Sequence, residues 1–524
     1  MVILVFVNIL NTNNMKQIII LTFFLLLVFR GLNSFAQEVS FYVQIEDSGL
    51  IPEITKEEKT NNLVFKSKDI VLDAILKKYQ ISKFDQAFPT IPVTSWLSKV
   101  YLVKCNTKDL GEELKEKLKG KIPLVEYLCE PELTYTPNDY GLALGQTNLD
   151  LIHSKEAWDI CKDLPKINIA ISDTYFDLTH EDLNFIGYQG SNNPNVADAY
   201  HGTFVAGCIA AITDNNKGIS SVGYNSKLYV STNWGNDNEV LLLAQAGYRV
   251  INCSWINSYT SISTQNTLYA LIRNTYNSVV VCGAGNKTYK DVFNVWHYAY
   301  EPVYPASYPA NISVTSIGHI YNYGTQGTPS NNWKDVHDEI IGDSTSSHHH
   351  NAQVDICAPG YNVSTTDIMG AGGNSTGNYG SGWGTSFAAP QVSATMGLIF
   401  SVNPCLTADQ GVAILLNNTD NSIYSIPENS RYIGKLGTGR LNVFAAVNAA
   451  AESATRYLQN QTLSGTQTVK ANYAIRATGN VTVPSGANVN FITRKEVSLN
   501  GPFEVATGAT FSIDVNVNNV ISCN

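Results

Sequence analysis

Four residues of this 524-residue chain carry the side chains that acyl transfer to a serine requires. They are Asp173 in "SDTYFDLTHEDL", His201 in "YHGTFVAGCIAAI", Asn286 in "VVVCGAGN" and Ser386 in "GSGWGTSFAAPQVSA". A serine hydroxyl becomes nucleophilic when an imidazole takes its proton, and a carboxylate fixes the tautomer of that imidazole. A side-chain amide can donate a hydrogen bond to the oxyanion that then forms. Together the four residue types predict a nucleophilic serine site.

Taken singly, each of these residues has an ordinary explanation. An Asp at a strand end is often a turn or helix cap, and a Ser among glycines often begins a helix. A lone His at a helix start is more often a surface residue than a base. Only the combination therefore indicates catalysis.

The elements that must position these residues belong to an α/β region between about residues 139 and 452. Short β-branched runs alternate there with helical patterns, among them "KINIAISD", "YRVINCSW", "SVVVCGAGN" and "QVDICAPG". Nearly continuous apolar strands separated by helices predict a parallel sheet that is buried on both faces. Reactive residues of such sheets lie beyond the carboxyl ends of the strands, where Asp173 and Asn286 stand.

With these motifs in order, the chain resembles the subtilisin-like serine peptidases (subtilases, peptidase family S8). The segments "HGTFVAG" and "GTSFAAP" carry most of the resemblance, and "VINCSW", "VDICAPGYNVSTT" and "GTGRLNVFAAV" agree with later parts of that family. The resemblance implies a subtilisin-like three-layer α/β fold with a mostly parallel central sheet. It also implies a small α+β pro-region before that fold, and the composition predicts a small all-β domain after it.

The resemblance further implies a role for each site residue. Asp173 would orient His201, and His201 would act first as general base and then as general acid. Ser386 would form the acyl-enzyme, while Asn286 and the backbone N–H of Ser386 would form the oxyanion hole. Substrate would bind along two strand ends, made by Ser254, Trp255, Ile256, Gly283, Ala284 and Gly285.

Three positions depart from the family pattern. Tyr175 stands where glycine is usual, so we expect the loop after Asp173 to be rebuilt, since glycine tolerates angles that tyrosine does not. Phe204 stands where a second His is frequent. Ile256 replaces a glycine, and we expect its branched side chain to narrow the cleft.

The sequence predicts a secreted endopeptidase that is made as a zymogen. Two alternatives stay open. One is a catalytically degenerate subtilase that binds without cutting. The other places the main role in the C-terminal β-domain, as an adhesive or surface-attachment module that carries the peptidase.

The segments of the chain suggest export and processing. Residues 1–36 resemble a secretory signal peptide, with Met15 as an alternative start of translation, which predicts a secreted or cell-surface protein. We assign 37–136 to the pro-region, 137–453 to the peptidase domain and 454–524 to the β-rich accessory domain. In the last of these, Gly486 and Gly508 mark a repeat of about 22 residues that predicts stacked β rungs, with Gly465 fitting less well.

The amino-acid composition limits the classes of molecule that the protein could bind. With 44% hydrophobic and 15% charged residues the chain is globular, and its net charge of −10 without basic runs argues against nucleic acid. The resemblance to subtilases implies protein or peptide substrates and a pro-region that acts as an intramolecular inhibitor. Surface attachment through the C-terminal domain is a further expectation.

The serine mechanism that the resemblance implies requires no cofactor. Of nine cysteines, four lie in apolar runs and are expected in the core: Cys208, Cys253, Cys282 and Cys357. Cys161, Cys405 and Cys523 could pair or not. The run His348–His350 favours a solvated loop over a metal site. Structural calcium is compatible with the family, but the sequence identifies no ligands for it.

Overall fold

The computed structural model describes residues 39–56, 63–88, 94–105, 107–128, 135–286, 289–290, 294–318, 348–370, 377–519 and 523. The predicted signal peptide lies outside these residues. The chain divides into two compact units between Leu133 and Thr134, close to the predicted boundary at 136/137, although the assignment of 37–136 as a pro-region stays a prediction. Within the described residues, none of the helices is both long and apolar enough to cross a bilayer.

The first unit is a small α+β module. Its antiparallel sheet has the order β4-β5-β1-β6, and β2 pairs with β3 beside it. Helix α1 begins where the Asp69 carboxylate accepts hydrogen bonds from two backbone N–H groups of the first turn. Its elements are β1 Val39–Gln44, β2 Glu53–Lys56, β3 Leu63–Lys66, α1 Ile70–Leu76, β4 Ile81–Gln86, β5 Val100–Cys105, α2 Asp109–Lys117 and β6 Val125–Leu128.

The second unit is built on a seven-stranded sheet with the order β15-β14-β11-β10-β7-β9-β8, in which every pair is parallel. This confirms the predicted α/β fold. The elements up to the middle of this sheet are α3 Thr147–Leu151, α4 Ser154–Cys161, β7 Ile169–Ser172, β8 Phe185–Gln189, α5 Tyr200–Ala210, β9 Leu228–Ser231, α6 Asp237–Gln245, β10 Val250–Cys253, α7 Ser263–Thr275 and β11 Val279–Gly283.

The remaining elements of the peptidase region complete the layers around this sheet. They are β12 Tyr289–Lys290, β13 Trp296–His297, β14 Ile312–Ile317, β15 Ile356–Pro359, β16 Val363–Thr366, β17 Tyr379–Gly382, α8 Thr385–Val402, α9 Ala408–Asn417 and α10 Val443–Ser453. Two short 3₁₀ helices, Asn421–Ser425 and Pro427–Tyr432, precede α10.

Alternate residues of the sheet face opposite layers, as buried parallel strands require. Ile169 and Ile171 of β7 pack into the cluster that contains α5, α8 and α10, whereas Ala170 packs with α6 and α7. Helix α8 lies in the centre of the first layer, and all eighteen of its residues are buried. The nucleophile predicted from sequence therefore belongs to a helix that is buried along its whole length.

The C-terminal region is a stack of parallel β rungs. Thr466 of one rung is paired with Asn488 of the next and Asn488 with Thr510, so the register advances by 22 residues, which confirms the predicted repeat. Glycines with positive φ precede the three strands of this face, at 69° for Gly465, 78° for Gly486 and 85° for Gly508. The strands are β18 Arg456–Thr462, β19 Thr466–Ala471, β20 Ala474–Val483, β21 Asn488–Thr493, β22 Glu496–Leu499, β23 Phe503–Val505 and β24 Thr510–Val515.

This stack is joined to the peptidase region within one compact unit. Tyr473 and Ala474 are part of the same hydrophobic cluster as the central sheet. Cys405 and Cys523 form a disulfide that ties the end of the chain to the segment after α8, which settles two cysteines that the sequence left open. Cys161 is buried and outside any disulfide, and the four cysteines predicted in the core are buried there: Cys208, Cys253, Cys282 and Cys357.

Candidate active site

The carboxylate of Asp173 and the imidazole of His201 are directly hydrogen-bonded. Asp173 follows the last residue of β7 and is 2% exposed. Its Oδ1 accepts from the backbone N–H of Thr174 and from Nδ1 of His201, both at 2.7 Å. Because Nδ1–H donates to the carboxylate, Nε2 of His201 is the ring atom that can accept a proton.

A close approach between two chain segments brings this pair together. A Cβ on Gly202, the residue after His201, would lie 2.3 Å from the carbonyl oxygen of Tyr175, so only glycine fits there. Tyr175 itself is absent from the residues with positive φ, so a tyrosine occupies this position without left-handed strain. The loop thus accommodates the departure from the family pattern and still holds Asp173 against His201.

The environment of His201 favours its protonated form. Burial lowers the pKa of the imidazole, but the charge and hydrogen bond of Asp173, together with the nearby charge of Asp198, more than offset this, and the pKa is raised above its usual 6.5. A group that must be neutral to act as a base is thereby made more basic.

Ser386 lies in the first turn of α8. The helix begins after Gly384, whose φ of 136° suits glycine, and the serine is 8% exposed. Its hydroxyl donates to the carbonyl oxygen of Ser254 at 3.3 Å, and the hydroxyl of Ser254 donates back to the carbonyl oxygen of Ser386 at 3.1 Å. The helix N-terminus is therefore fixed to the segment that follows β10, where its aligned backbone dipoles favour negative charge.

Asn286 follows β11 with its amide held in one orientation. The Oδ1 atom accepts from the backbone N–H of Thr385 at 2.8 Å and from the Thr385 hydroxyl at 3.1 Å. Since the oxygen is engaged twice, the Nδ2 group is left as the donor toward the cleft that Asn286 lines. This is the orientation that an oxyanion donor needs.

A cleft of about 420 Å³ joins these residues. It brings together Asp173, His201, Asn286 and Ser386 with five of the six predicted substrate-binding residues: Ser254, Trp255, Ile256, Gly283 and Gly285. The sixth, Ala284, is 1% exposed and its backbone N–H donates to the carbonyl oxygen of Val314 at 2.8 Å, so it faces the sheet. The roles of these residues stay predictions, although nearly all of them share one cavity.

Five further residues line the cleft that the sequence did not single out: Thr174, Asp198, Trp234, Tyr259 and Thr385. Trp234 follows the carboxyl end of β9, and that position at a parallel strand end could have pointed to it. Tyr259 has no local signal, because it is held by stacking of its ring on His297 at 4.6 Å. The side chains of Trp234 and Tyr259 give the cleft an aromatic lining.

The other two departures from the family pattern are also accommodated. Phe204 is 1% exposed and its ring lies 5.9 Å from that of Phe387, which in turn lies 5.8 Å from the His201 imidazole. It therefore packs behind the base. Ile256 is half-buried and lines the cleft, while the preceding Trp255 is fixed by donation from its indole N–H to the carbonyl oxygen of Ser172 at 3.0 Å.

The expectation that His348–His350 form a solvated loop is wrong. Each of the three histidines is 1% exposed. The physical reason is that the segment pairs through its backbone with the loop that carries Asn286, a long-range partner that local composition does not reveal. In the described parts of the chain no group of three or more His, Cys, Asp or Glu side chains could hold a metal ion, and structural calcium stays a prediction without assigned ligands.

Comparison with known proteins identifies the family. A model of the subtilase family, peptidase S8, matches residues 165–439, which is more than half of the chain. The chain belongs to the subtilase family. The match includes Asp173, His201, Asn286 and Ser386.

Several curated proteins are similar to this subtilase. A thermophilic serine proteinase from a Bacillus species is 29% identical over 302 residues, which cover 53% of this chain and 64% of that protein. An extracellular protease from Xanthomonas campestris is 26% identical, with 60% of this chain and 57% of that protein covered. Thermitase from Thermoactinomyces vulgaris is 28% identical over 60% of this chain and 99% of its own length. The first two matches thus span less than two thirds of the relatives' lengths.

Among solved structures, one described as proteases from Pseudoalteromonas arctica is 23% identical to this subtilase. The alignment covers 60% of this chain and all of that chain, with a TM-score of 0.43.

Proposed function

We propose that this subtilase is a secreted serine endopeptidase that hydrolyses peptide bonds through an acyl-enzyme on Ser386. One observation carries the proposal: the hydrogen-bonded pair of Asp173 and His201 lines the same cleft as a serine at the N-terminus of a buried helix. The names of the relatives, serine proteinases and extracellular proteases among them, agree with it.

The reaction begins with proton transfer from Ser386 to Nε2 of His201. Because the serine hydroxyl donates to the carbonyl oxygen of Ser254, it must first rotate toward the imidazole. Its Oγ then attacks the scissile carbonyl carbon, and the C=O π electrons move to oxygen. The Nδ2 group of Asn286 and the backbone N–H of Ser386 donate hydrogen bonds to this oxyanion.

Collapse of the tetrahedral intermediate breaks the C–N bond. His201 gives its proton to the leaving amine, and the acyl group remains as an ester on Ser386. Water then repeats the sequence: His201 takes its proton, hydroxide oxygen bonds to the ester carbon, and the proton returns to Ser386 as the acid leaves. Asp173 keeps its hydrogen bond to Nδ1 of His201 throughout and stabilises the imidazolium.

Secretion and zymogen processing are part of the proposal. The disulfide between Cys405 and Cys523 suits an oxidising compartment, in agreement with a signal peptide at 1–36. The α+β module before Leu133 would be the pro-region that inhibits the cleft until it is removed. Surface attachment through the C-terminal stack stays a prediction without a supporting contact.

Hydrolysis of casein by the purified, processed protein tests the proposal. We expect Ser386→Ala to abolish hydrolysis and labelling by a serine-reactive fluorophosphonate, because no other atom replaces Oγ. The matched control is Ser393→Ala, which removes a buried hydroxyl of the same helix, bonded to Asn252, without touching the cleft. Casein hydrolysis that survives Ser386→Ala would refute the assignment of Ser386 as the nucleophile. A wild type that hydrolyses no casein would favour a degenerate subtilase.

A further inference from the structure

The segment His348–His350 lies behind the residue proposed as the oxyanion donor, and the proposed reaction does not use it. The backbone of His348 forms an antiparallel bridge with Asn286. The backbone N–H of His349 donates to the carbonyl oxygen of Gly285 at 2.8 Å. Gly285 and Asn286, which we call the oxyanion loop, are therefore both paired with this histidine segment.

The side chain of His349 fills the space beneath Gly285. A Cβ on Gly285, whose φ is 111°, would lie 3.0 Å from Cγ of His349 and 3.1 Å from Cγ2 of Val303. The imidazole of His349 and the side chain of Val303 thus occupy the side of Gly285 where a Cβ would point. A bulkier or smaller group at position 349 would change where this backbone lies.

His349 is itself fixed by two further elements. Its Nδ1 lies 3.0 Å from the carbonyl oxygen of Glu301, so Nδ1–H donates to the loop after β13. Its own carbonyl oxygen accepts from the hydroxyl of Thr315 on β14. One residue therefore connects the oxyanion loop to a neighbouring loop and to the central sheet.

The flanking histidines anchor the same segment. The ring of His348 stacks on Tyr361 with 4.4 Å between centroids, and its Nδ1 is hydrogen-bonded to the hydroxyl of Ser316. The ring of His350 meets Tyr432 edge-on at 4.7 Å. With all three side chains 1% exposed, the segment is a rigid support.

Such a support matters because an oxyanion donor acts only at the correct distance from the developing charge. Thr385 holds one side of this loop, since its N–H and hydroxyl donate to Oδ1 of Asn286 and its hydroxyl oxygen accepts from the backbone N–H of Gly285 at 3.1 Å. The backbone N–H of His349 holds the carbonyl oxygen of the same Gly285, so the histidine segment supplies the second contact to this backbone. A misplacement of about 1 Å can cost roughly 100-fold in rate.

We propose that His349 is a positioning residue for peptide hydrolysis, which holds Gly285 and Asn286 where the amide can reach the oxyanion. This inference rests on the proposed function. It assigns the histidine segment a part in the transition state and not in binding the substrate ground state, so its loss should lower kcat and leave KM nearly unchanged.

A double-mutant cycle tests this with purified processed protein and a chromogenic peptide amide that the wild type hydrolyses. We expect His349→Leu to lower kcat about 10-fold to 100-fold with KM within about 3-fold. In the Asn286→Ala background the same substitution should cost less than about 3-fold, since the group that it positions is gone. An equal loss in both backgrounds, or a loss confined to KM, would overturn the proposal.

Two variants separate positioning from general damage. His349→Asn keeps an N–H donor for the carbonyl oxygen of Glu301 in a smaller side chain, so it should lose less kcat than His349→Leu. His180→Leu removes another buried histidine, bonded to the carbonyl oxygen of Asn378 at 2.9 Å and outside the cleft lining. It should lower thermal stability without changing kcat by more than about 2-fold, and its effect should add to that of Asn286→Ala.

If circular dichroism shows that His349→Leu is unfolded, Thr315→Val takes its place. This substitution keeps the side-chain volume nearly constant and deletes the hydroxyl that donates to the His349 carbonyl oxygen. The same non-additive loss of kcat is expected, and additive losses would overturn the proposal. An active wild type with additive losses refutes this inference alone, whereas a wild type that hydrolyses no peptide refutes the proposed function as well.

Discussion

Hydrogen bonds at single atoms give each residue of the site one role. Asp173 uses the same carboxylate oxygen for Thr174 and for His201, and its Oδ2 is buried with no hydrogen-bond partner among the residues described. Asn286 uses its oxygen for Thr385 and keeps its N–H groups for the cleft. These pairings leave Nε2 of His201 and Nδ2 of Asn286 as the atoms available to substrate.

Asp198 offers a test of the electrostatics at this scale. Its negative charge is one of the causes that raise the pKa of His201, so Asp198→Asn should lower that pKa. Because His201 must be neutral to act as a base, the acidic limb of the kcat/KM profile should move to lower pH. The pH dependence of peptide hydrolysis measures this shift.

Ionic strength supplies the control for Asp198→Asn. Asp198 is exposed, so its effect on His201 should be large at low salt and shrink when salt screens the charge. A limb that moves to higher pH, or one that stays in place at low salt, contradicts the assigned electrostatics.

At the scale of elements, helix α8 links the cleft to the C-terminal stack. Ser386 lies at the N-terminus of this helix. At the other end, the carbonyl oxygens of Ser401 and Val402 lie 2.9 Å and 3.5 Å from Nη1 of Arg494. Arg494 is 6% exposed and also donates through Nε to the carbonyl oxygen of Val517. A cation at a helix C-terminus complements the helix dipole, so the stack closes the far end of the nucleophile helix.

Replacing this cation should destabilise the whole second unit. We expect Arg494→Met to lower the free energy of unfolding by roughly 1.5–3 kcal/mol, because buried carbonyl groups lose charged donors. Thermal unfolding of the processed protein measures it, with Arg456→Met as control, since Arg456 is exposed on β18. A melting temperature unchanged by Arg494→Met would contradict this contribution of Arg494 to the stability of the second unit.

At the scale of the whole molecule, the two compact units suggest where the chain can be cut. The segment that opens the second unit is already anchored: Asp139 is fully buried and accepts from the Ser220 hydroxyl at 2.5 Å and from the backbone N–H of Asn215 at 2.9 Å. Cleavage on the N-terminal side of Asp139 leaves these bonds intact.

Intact-mass analysis of the secreted protein checks this. We expect the wild type to begin near Thr136, within the few residues before Asp139, and Ser386→Ala to keep the preceding unit, because self-cleavage needs the nucleophile. Asp139→Asn is the companion variant: it should alter the stability of the mature chain and leave the cut in place. A full-length chain that hydrolyses casein would refute the pro-region.

Much of the site could be predicted from the sequence because its information is local. The strand ends at Asp173 and Asn286, the helix starts at His201 and Ser386, and the glycine spacing of the β rungs each follow from short patterns that depend on nearby residues. Buried parallel strands need apolar runs, and close approaches need glycine, whatever the rest of the chain does. Local patterns were therefore enough to predict the α/β fold, the repeat and the residues that could do the chemistry.

Contacts between distant segments of the chain could not be predicted from local patterns. The burial of His348–His350, the pairing of Cys405 with Cys523, the aromatic walls of Trp234 and Tyr259, and the contact of Arg494 with α8 all depend on partners far away in the chain. Polar composition predicts exposure only where no partner is available, and here backbone pairing with Asn286 and aromatic stacking stabilise the buried histidines. Local motifs therefore show which residues can do the chemistry, and long-range packing determines which residues hold them in place.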